Sequence, residues 1–279
     1  MSELLIVGAL TVDRFADGHS AAGGSVFHCG LAAVAEGIRP AFLTVAGDEP
    51  EAAAGLGRLA EFGDLVVQPA ARTTTYRHDE SSGRRILVYE ASGAPIRPES
   101  ARGLSSPRVA LVAPIADELP AASVNAIVAG LRPACTVLLI QGWLRRLALG
   151  EPVRPKPLDA VDTASWAAFA AADAVVVSTE DLAESQQDPF AQATALRERL
   201  GVGPILVLTL GTEGFLLDDP DADRIVAAVP RRVVDGVPSV GAGDTFGAAL
   251  AIHLSRGEDP VTAANAASDR VIRTLEARR

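Results

Sequence analysis

The chain has 279 residues, is 48% hydrophobic and carries a formal net charge of −10. That length and apolar content suffice for one large α/β core, and the acidic balance argues against nucleic acid as a main partner, because a phosphate backbone needs a basic face. No apolar run approaches the ~20 residues needed to span a bilayer, and the N-terminus lacks the basic region and cleavage site of a signal peptide, so a soluble cytoplasmic protein is expected.

Residues 4–10 form an apolar run that ends near glycine and reads as a buried strand. Gly23 and Gly24 then precede a helical stretch with Phe27, Leu31, Val34 and Ile38 on one face. A second strand is predicted over 41–45, a helix over 51–62 and a third strand over 65–67. The character then changes. Residues 73–78 and 85–89 are β-prone with turn chemistry at 79–83 between them, which predicts a hairpin. Hairpins are rare inside a parallel α/β run, so this one is expected to project as a flap.

Alternation then resumes. Strands are predicted over 109–113, 136–140, 174–177 and 205–209, with helices over 124–131, 166–171 and 190–200 between them. Residues 143–157 read as a long surface loop, and 215–217 with 224–229 as a late antiparallel pair split by a turn at 218–221. Two helices finish the chain. One runs over 245–255 with Phe246, Leu250 and Leu254 on one face; the other carries Val261, Ala264, Ser268, Val271 and Leu275. The class is α/β with a mostly parallel sheet, and ligands should collect at the C-terminal ends of its strands. No repeat or linker divides residues 1–279, so a single domain is expected.

The most informative stretch is Ser239-Val240-Gly241-Ala242-Gly243-Asp244-Thr245-Phe246. Small residues let the backbone turn tightly, and free N–H groups at a helix start attract anions. Asp244 fits two roles there. It can cap the helix, or it can take a proton from a hydroxyl attacking a phosphate held by those amides. Lys156, flanked by prolines, is the only lysine, so the chain has no Gly-Lys-Ser/Thr phosphate loop. Positive potential for a phosphate must come from amides, arginine or a metal. Neither Cys29 nor Cys135 has metal-ligand spacing, and both read as buried free thiols.

These landmarks, in this order, resemble the ribokinase or PfkB-type carbohydrate kinases over nearly the whole chain. Gly241-Ala242-Gly243-Asp244-Thr245-Phe246 looks like the C-terminal signature, and Gly23-Gly24 with the following helix looks like the N-terminal one. Gly8 with Asp13, and Thr209-Leu210-Gly211 with Gly214, support them. The resemblance implies a ribokinase-like three-layer α/β/α sandwich with a mostly parallel central sheet and a small β-hairpin lid. It implies Asp244 as base, amides of Gly241, Ala242 and Gly243 as an anion hole, and ATP with Mg²⁺ as donor. It places Asp13, Gly23, Gly24, His28, Glu118 and Arg145 around a sugar or polyol. It places Ser178, Asp181, Thr209, Gly211, Gly214 and Asn265 around the nucleotide. Family lids often pair across a dimer, so a homodimer through the lid is expected.

Three departures from the family pattern stand out. Pro238-Ser239-Val240 replaces Asp-Thr-Thr, which argues against potassium activation. Ser178-Thr179-Glu180-Asp181 replaces Asn-x-x-Glu. The segment from Asp13 to Gly23 is short, so a reduced lid is expected from about residues 11–22 and 72–91. These features look more like compact, inositol-kinase-like members. A nucleoside kinase and a non-catalytic sugar or nucleotide sensor remain alternatives. A nicotinamide-dependent dehydrogenase is disfavoured, because the turn after the first strand lacks Gly-x-Gly-x-x-Gly.

Overall fold

The computed structural model describes residues 3–79, 86–183, 187–222 and 224–279. Apart from Asp79, the expected turn at 79–83 and the start of the following strand at Arg85 lie outside the described residues. In chain order the strands are β1 (Leu4–Val7), β2 (Thr11–Arg14), β3 (Ser20–Gly23), β4 (Ala41–Ala46), β5 (Asp64–Pro69), β6 (Thr74–Asp79), β7 (Ile86–Ala91), β8 (Val109–Val112), β9 (Cys135–Leu139), β10 (Arg145–Arg146), β11 (Arg154–Pro155), β12 (Ala174–Ser178), β13 (Ile205–Thr209), β14 (Phe215–Asp219) and β15 (Arg224–Ala228). The helices are α1 (Ser25–Ala35), α2 (Pro50–Phe62), α3 (Ala121–Leu131), α4 (Thr163–Ala170), α5 (Pro189–Leu200), α6 (Ala242–Ser255) and α7 (Pro260–Glu276).

Nine strands form one sheet in the order β15-β14-β13-β12-β9-β8-β1-β4-β5. It is parallel except where β13, β14 and β15 pair antiparallel. Alternate residues of β1 point to opposite faces, as a pleated strand requires. Leu4 and Ile6 join a core with α1, α2, α6 and α7, whereas Leu5 and Val7 join a second core with α3, α4 and α5. Burial on both faces explains why these strands read as continuous apolar runs. The result is the expected three-layer sandwich.

The lid comes from the two segments expected, about 11–22 and 72–91, but forms a four-stranded sheet rather than a bare hairpin. The hairpin β6–β7 forms half of a four-stranded sheet, order β3-β2-β6-β7, in which β2 and β6 run parallel. Short, polar β2 and small-residue β3 give almost no strand signal alone; β3 pairs with β2, and the pairing of β2 with β6 is a long-range event. Residues 143–157 also differ from the expected free loop. The 3-10 turn Ile140–Leu144 buries Ile140 and Leu144, Trp143 packs edge-on to Phe169 with ring centroids 5.0 Å apart, and β10 pairs with β11. Beyond β10 the chain docks on β7: Gly150 N–H donates to Tyr89 O at 2.8 Å, Tyr89 N–H to Glu151 O at 3.0 Å and Val153 N–H to Leu87 O at 2.7 Å. The protein's own strap thus covers part of the lid's β7 edge. Cys29 is buried as expected, while Cys135 is only partly so.

Candidate active site

Between the lid and the strand ends lies a cleft of about 1050 Å³. One end of it is formed by the start of α6. The helix begins at Ala242, with Gly241 as N-cap at φ 75°, and no side chain caps it. Asp244 therefore sits inside the first turn, which removes the capping role left open by the sequence. Asp244 lines the cleft and is 8% exposed as a residue. A helix's first four N–H groups have no intrahelical acceptor. Here Ala242 N–H donates to Ser239 O at 3.0 Å. This corrects the expectation for Ala242: its amide serves the turn, and the amides of Gly241, Gly243 and Asp244 remain for an anion.

Gly241 has two reasons to be glycine. Its left-handed φ disfavours other residues, and an added Cβ would stand 2.4 Å from Cγ of His28. The His28 ring of α1 thus packs directly on the anion turn and lines the cleft. Cys29, next in α1, donates its thiol to the main-chain O of Asp244 at 3.5 Å. Burial, with the nearby Asp244 charge adding to it, pushes that thiol well above its ordinary range, so it stays protonated.

On the lid side, Asp13 accepts from Thr11 Oγ1 at 3.1 Å and lies 3.6 Å from His78 Nε2. Asp13, Thr11 and His78 all line the cleft. Phe15 stacks between His19 and His78, with centroids 4.2 and 4.5 Å away. His78 is absent from the sequence-derived candidates; its signal is its spacing of two from Tyr76 on one strand face. Gly24 lines the cleft at φ 89°, where a Cβ would press on Ala9 O at 2.6 Å. Gly23 is not on the cleft wall. It leaves room for the Asp13 carboxylate, which a Cβ would meet at 2.3 Å.

Glu118 is a second correction. It is 2% exposed, and its oxygens accept from the N–H groups of Ala9, Ile115 and Ala116 at 3.0, 2.9 and 2.8 Å. It ties the loop after β1 to the loop after β8 and has no face toward the cleft. Arg145 reaches the cleft, and part of its guanidinium is held within the protein. Nη1 donates to Ile115 O at 2.8 Å and Nη2 to Gln141 Oε1 at 3.0 Å, and Nη2 lies 3.9 Å from Asp181 Oδ1.

Ser178, Glu180, Asp181, Thr209, Gly211 and Gly214 also line the cleft. Ser178 and Asp181 form a reciprocal capping box on the 3-10 turn Thr179–Asp181. Burial holds the Asp181 carboxyl above its ordinary range, against the pull of Arg145 and the Ser178 N–H. Gly214 passes so close to β15 that a Cβ would overlap Ala228 O. Asn265 is a third correction: its Nδ2 donates to Val261 O at 2.9 Å along α7, and it lies off the cleft wall. Ser268, Val271, Ile272 and Leu275 of the same helix supply that wall.

A family model described as pfkB family carbohydrate kinase matches residues 64–270. No curated protein matches the chain in sequence. Among solved structures, a pyrophosphate-dependent kinase in the ribokinase family, complexed with a pyrophosphate analog and myo-inositol, superposes with a TM-score of 0.77 at 16% identity, covering 98% of this chain and 94% of that one. Arabidopsis thaliana ribokinase complexed with ribose and ATP gives 0.71 at 15% identity over 99% and 93%. Apo fructokinase from Vibrio cholerae O395 gives 0.72 at 20% identity over 99% of both chains. At these identities the three structures share the fold with this chain.

Proposed function

The chain belongs to the pfkB family carbohydrate kinases, and from that premise we propose that it transfers the γ-phosphoryl group of ATP to a hydroxyl of a sugar or polyol. The observation that carries this reading is the buried Asp244 carboxylate, uncapped, facing the cleft one residue past the Gly241–Ala242–Gly243 turn. Asp244 accepts the hydroxyl proton as that oxygen bonds to phosphorus, and the bond to the ADP oxygen breaks. The amides of Gly241, Gly243 and Asp244 face the charge on the transferring group, an electrostatic stabilisation by fixed dipoles. Asp13, an acceptor-only side chain when ionised, holds hydroxyls of the acceptor. The apolar wall of Val271, Ile272 and Leu275, with Ser268 for a polar contact, suits a nucleotide base.

The donor set also fits Mg²⁺. The cleft offers carboxylate and hydroxyl oxygens from Glu180, Asp181 and Ser178. Among the described residues no cluster of three or more His, Cys, Asp or Glu side chains would cage a metal unaided. That suits an ion that keeps its waters and binds mainly through phosphates. When bound, Mg²⁺ would neutralise phosphate charge. Among the described residues no helix is long and apolar enough to cross a membrane. If two copies pair through their lids, the covered part of β7 directs that pairing to the β3 edge.

The test is a panel of myo-inositol, ribose, fructose and nucleosides with Mg-ATP or Mg-pyrophosphate, read by ADP or phosphate release and by phosphorylated product. Product from ATP with a polyol or sugar supports the proposal. Product from pyrophosphate alone replaces the donor, product from nucleosides alone replaces the acceptor, and no product with either donor leaves a ligand sensor. Asp244→Asn is expected to lower kcat by about 10²–10⁴-fold while ligand-induced thermal stabilisation persists; retained turnover would discard Asp244 as base.

A further inference from the structure

Gln141 is absent from the sequence-derived candidates, yet it touches the proposed base. It sits in the turn Ile140–Leu144, directly after central strand β9, and lines the cleft. Its Nε2 donates to Ser25 Oγ at 2.9 Å and to Asp244 Oδ1 at 3.3 Å. Its Oε1 accepts from Arg145 Nη2 at 3.0 Å. The polarity of this chain of bonds is set by its ends. A guanidinium has donors only, and an ionised carboxylate has acceptors only. The amide can therefore satisfy both in one orientation, with its nitrogen toward Asp244.

The far end is anchored. Ile115 O accepts both Arg145 Nη1 at 2.8 Å and Tyr76 Oη at 2.9 Å. Tyr76 belongs to lid strand β6 and is 1% exposed, so the strut runs from that strand of the lid to the base. Among the described residues, Asp181, beyond the guanidinium, and Cys29 of α1 also feel the charge of Asp244. His28 of α1 packs on Gly241 beside it.

We infer that Gln141, oriented by Arg145, is the positioning residue that aims the Asp244 carboxylate at the acceptor hydroxyl. This rests on the kinase reading above. It also gives Arg145 a role other than binding an acidic substrate, since two of its N–H groups already hold Gln141 and Ile115 O.

The test compares wild type, Gln141→Leu and the near-isosteric Gln141→Glu, using Mg-ATP and whichever acceptor of the panel above turns over. Gln141→Leu is expected to lose about 10–100-fold in kcat, the worth of one hydrogen bond to a charged group. The KM values should stay within about threefold, because ground-state binding is untouched. Gln141→Glu keeps the partner of Arg145 but sets a second carboxylate against Asp244, so the acid limb of its kcat profile should move to higher pH. Unchanged kcat in Gln141→Leu, a loss confined to KM, or an unmoved acid limb in Gln141→Glu overturns the inference. If Gln141→Leu fails to fold, Gln141→Glu alone decides. If wild type turns over no acceptor, the kinase reading has failed by itself. The strut is then read from the ¹³C titration of the Asp244 carboxyl, assigned with Asp244→Asn. A titration moved to higher pH in Gln141→Glu supports the strut, and an unmoved one overturns it.

Discussion

At residue 241 a single methyl group would meet both a backbone that requires positive φ and the face of the His28 ring. Gly241→Ala is therefore expected to lower stability by about 1–3 kcal/mol, read from the denaturant midpoint, and to lower kcat more than any KM. Glu118 makes a contrasting case. Glu118→Gln turns an amide nitrogen toward backbone N–H donors and leaves one unsatisfied, a cost of about 1–3 kcal/mol; acceptor KM should not move, and a large rise would restore the substrate-binding role. Burial holds this carboxyl above its ordinary range, against the opposing pull of its amide donors. Such a group keeps its proton in the folded chain at pH values where the unfolded chain has released it. Its contribution is fully present below the unfolded pKa, about 4.3, and declines as pH rises through the folded value. The stability difference between wild type and Glu118→Gln should shrink across that window. Sequence reading reached Gly241 and Asp244 because their signal is contiguous. It missed Gln141 and His78 because each is defined by a partner distant in the chain: Gln141 lies 103 positions from Asp244, and His78 faces Asp13 across two paired strands.

At the scale of elements, the core strands and all seven helices among the described residues follow from periodicity, because an element packed on a shared core shows its pattern locally. What periodicity does not carry is pairing. The lid's β2 and β3 are short; β2 gains its strand conformation by pairing with β6 and β3 by pairing with β2, so a hairpin was legible and a four-stranded sheet was not. The strap at 150–153 was likewise hidden, since backbone bonds to β7 need no particular side chain. Val153→Pro would delete the N–H that donates to Leu87 O. The expected outcome is a several-fold rise in acceptor KM, with ADP release in the absence of acceptor, because a loosened lid admits water as a competing acceptor. Unaltered coupling would show that the strap has no part in closing the cleft.

Across the whole molecule, the cleft is assembled from both ends of the chain. Asp13 and His28 come from the first elements, Asp244 and the α7 wall from the last. Near the C-terminus, Arg278 Nη1 donates to Pro238 O and Val240 O, both at 2.8 Å, fixing the segment that leads into the anion turn. Arg278→Ala is expected to raise the KM for the phosphoryl donor several-fold, with a smaller effect on kcat, and to expose residues 230–240 to limited proteolysis; unchanged values on both counts would make the contact incidental. Family and fold were legible because glycine signatures and strand order survive divergence. The corrections at Ala242, Glu118 and Asn265 were not, because a motif position says where a residue stands and not which neighbour has already taken its hydrogen bonds.

The packing of α1 on α6 also has a consequence during synthesis. Val26, Phe27, Ala32 and Ala33 are covered in the same core as Phe246 and residues 248–252, which leave the ribosome late. Until then the nascent chain presents a sheet greasy on one side, a form that chaperones recognise and that aggregates when left alone. A message cut short before codon 240 should therefore yield copies that quality control destroys, rather than a stable fragment able to soak up substrate.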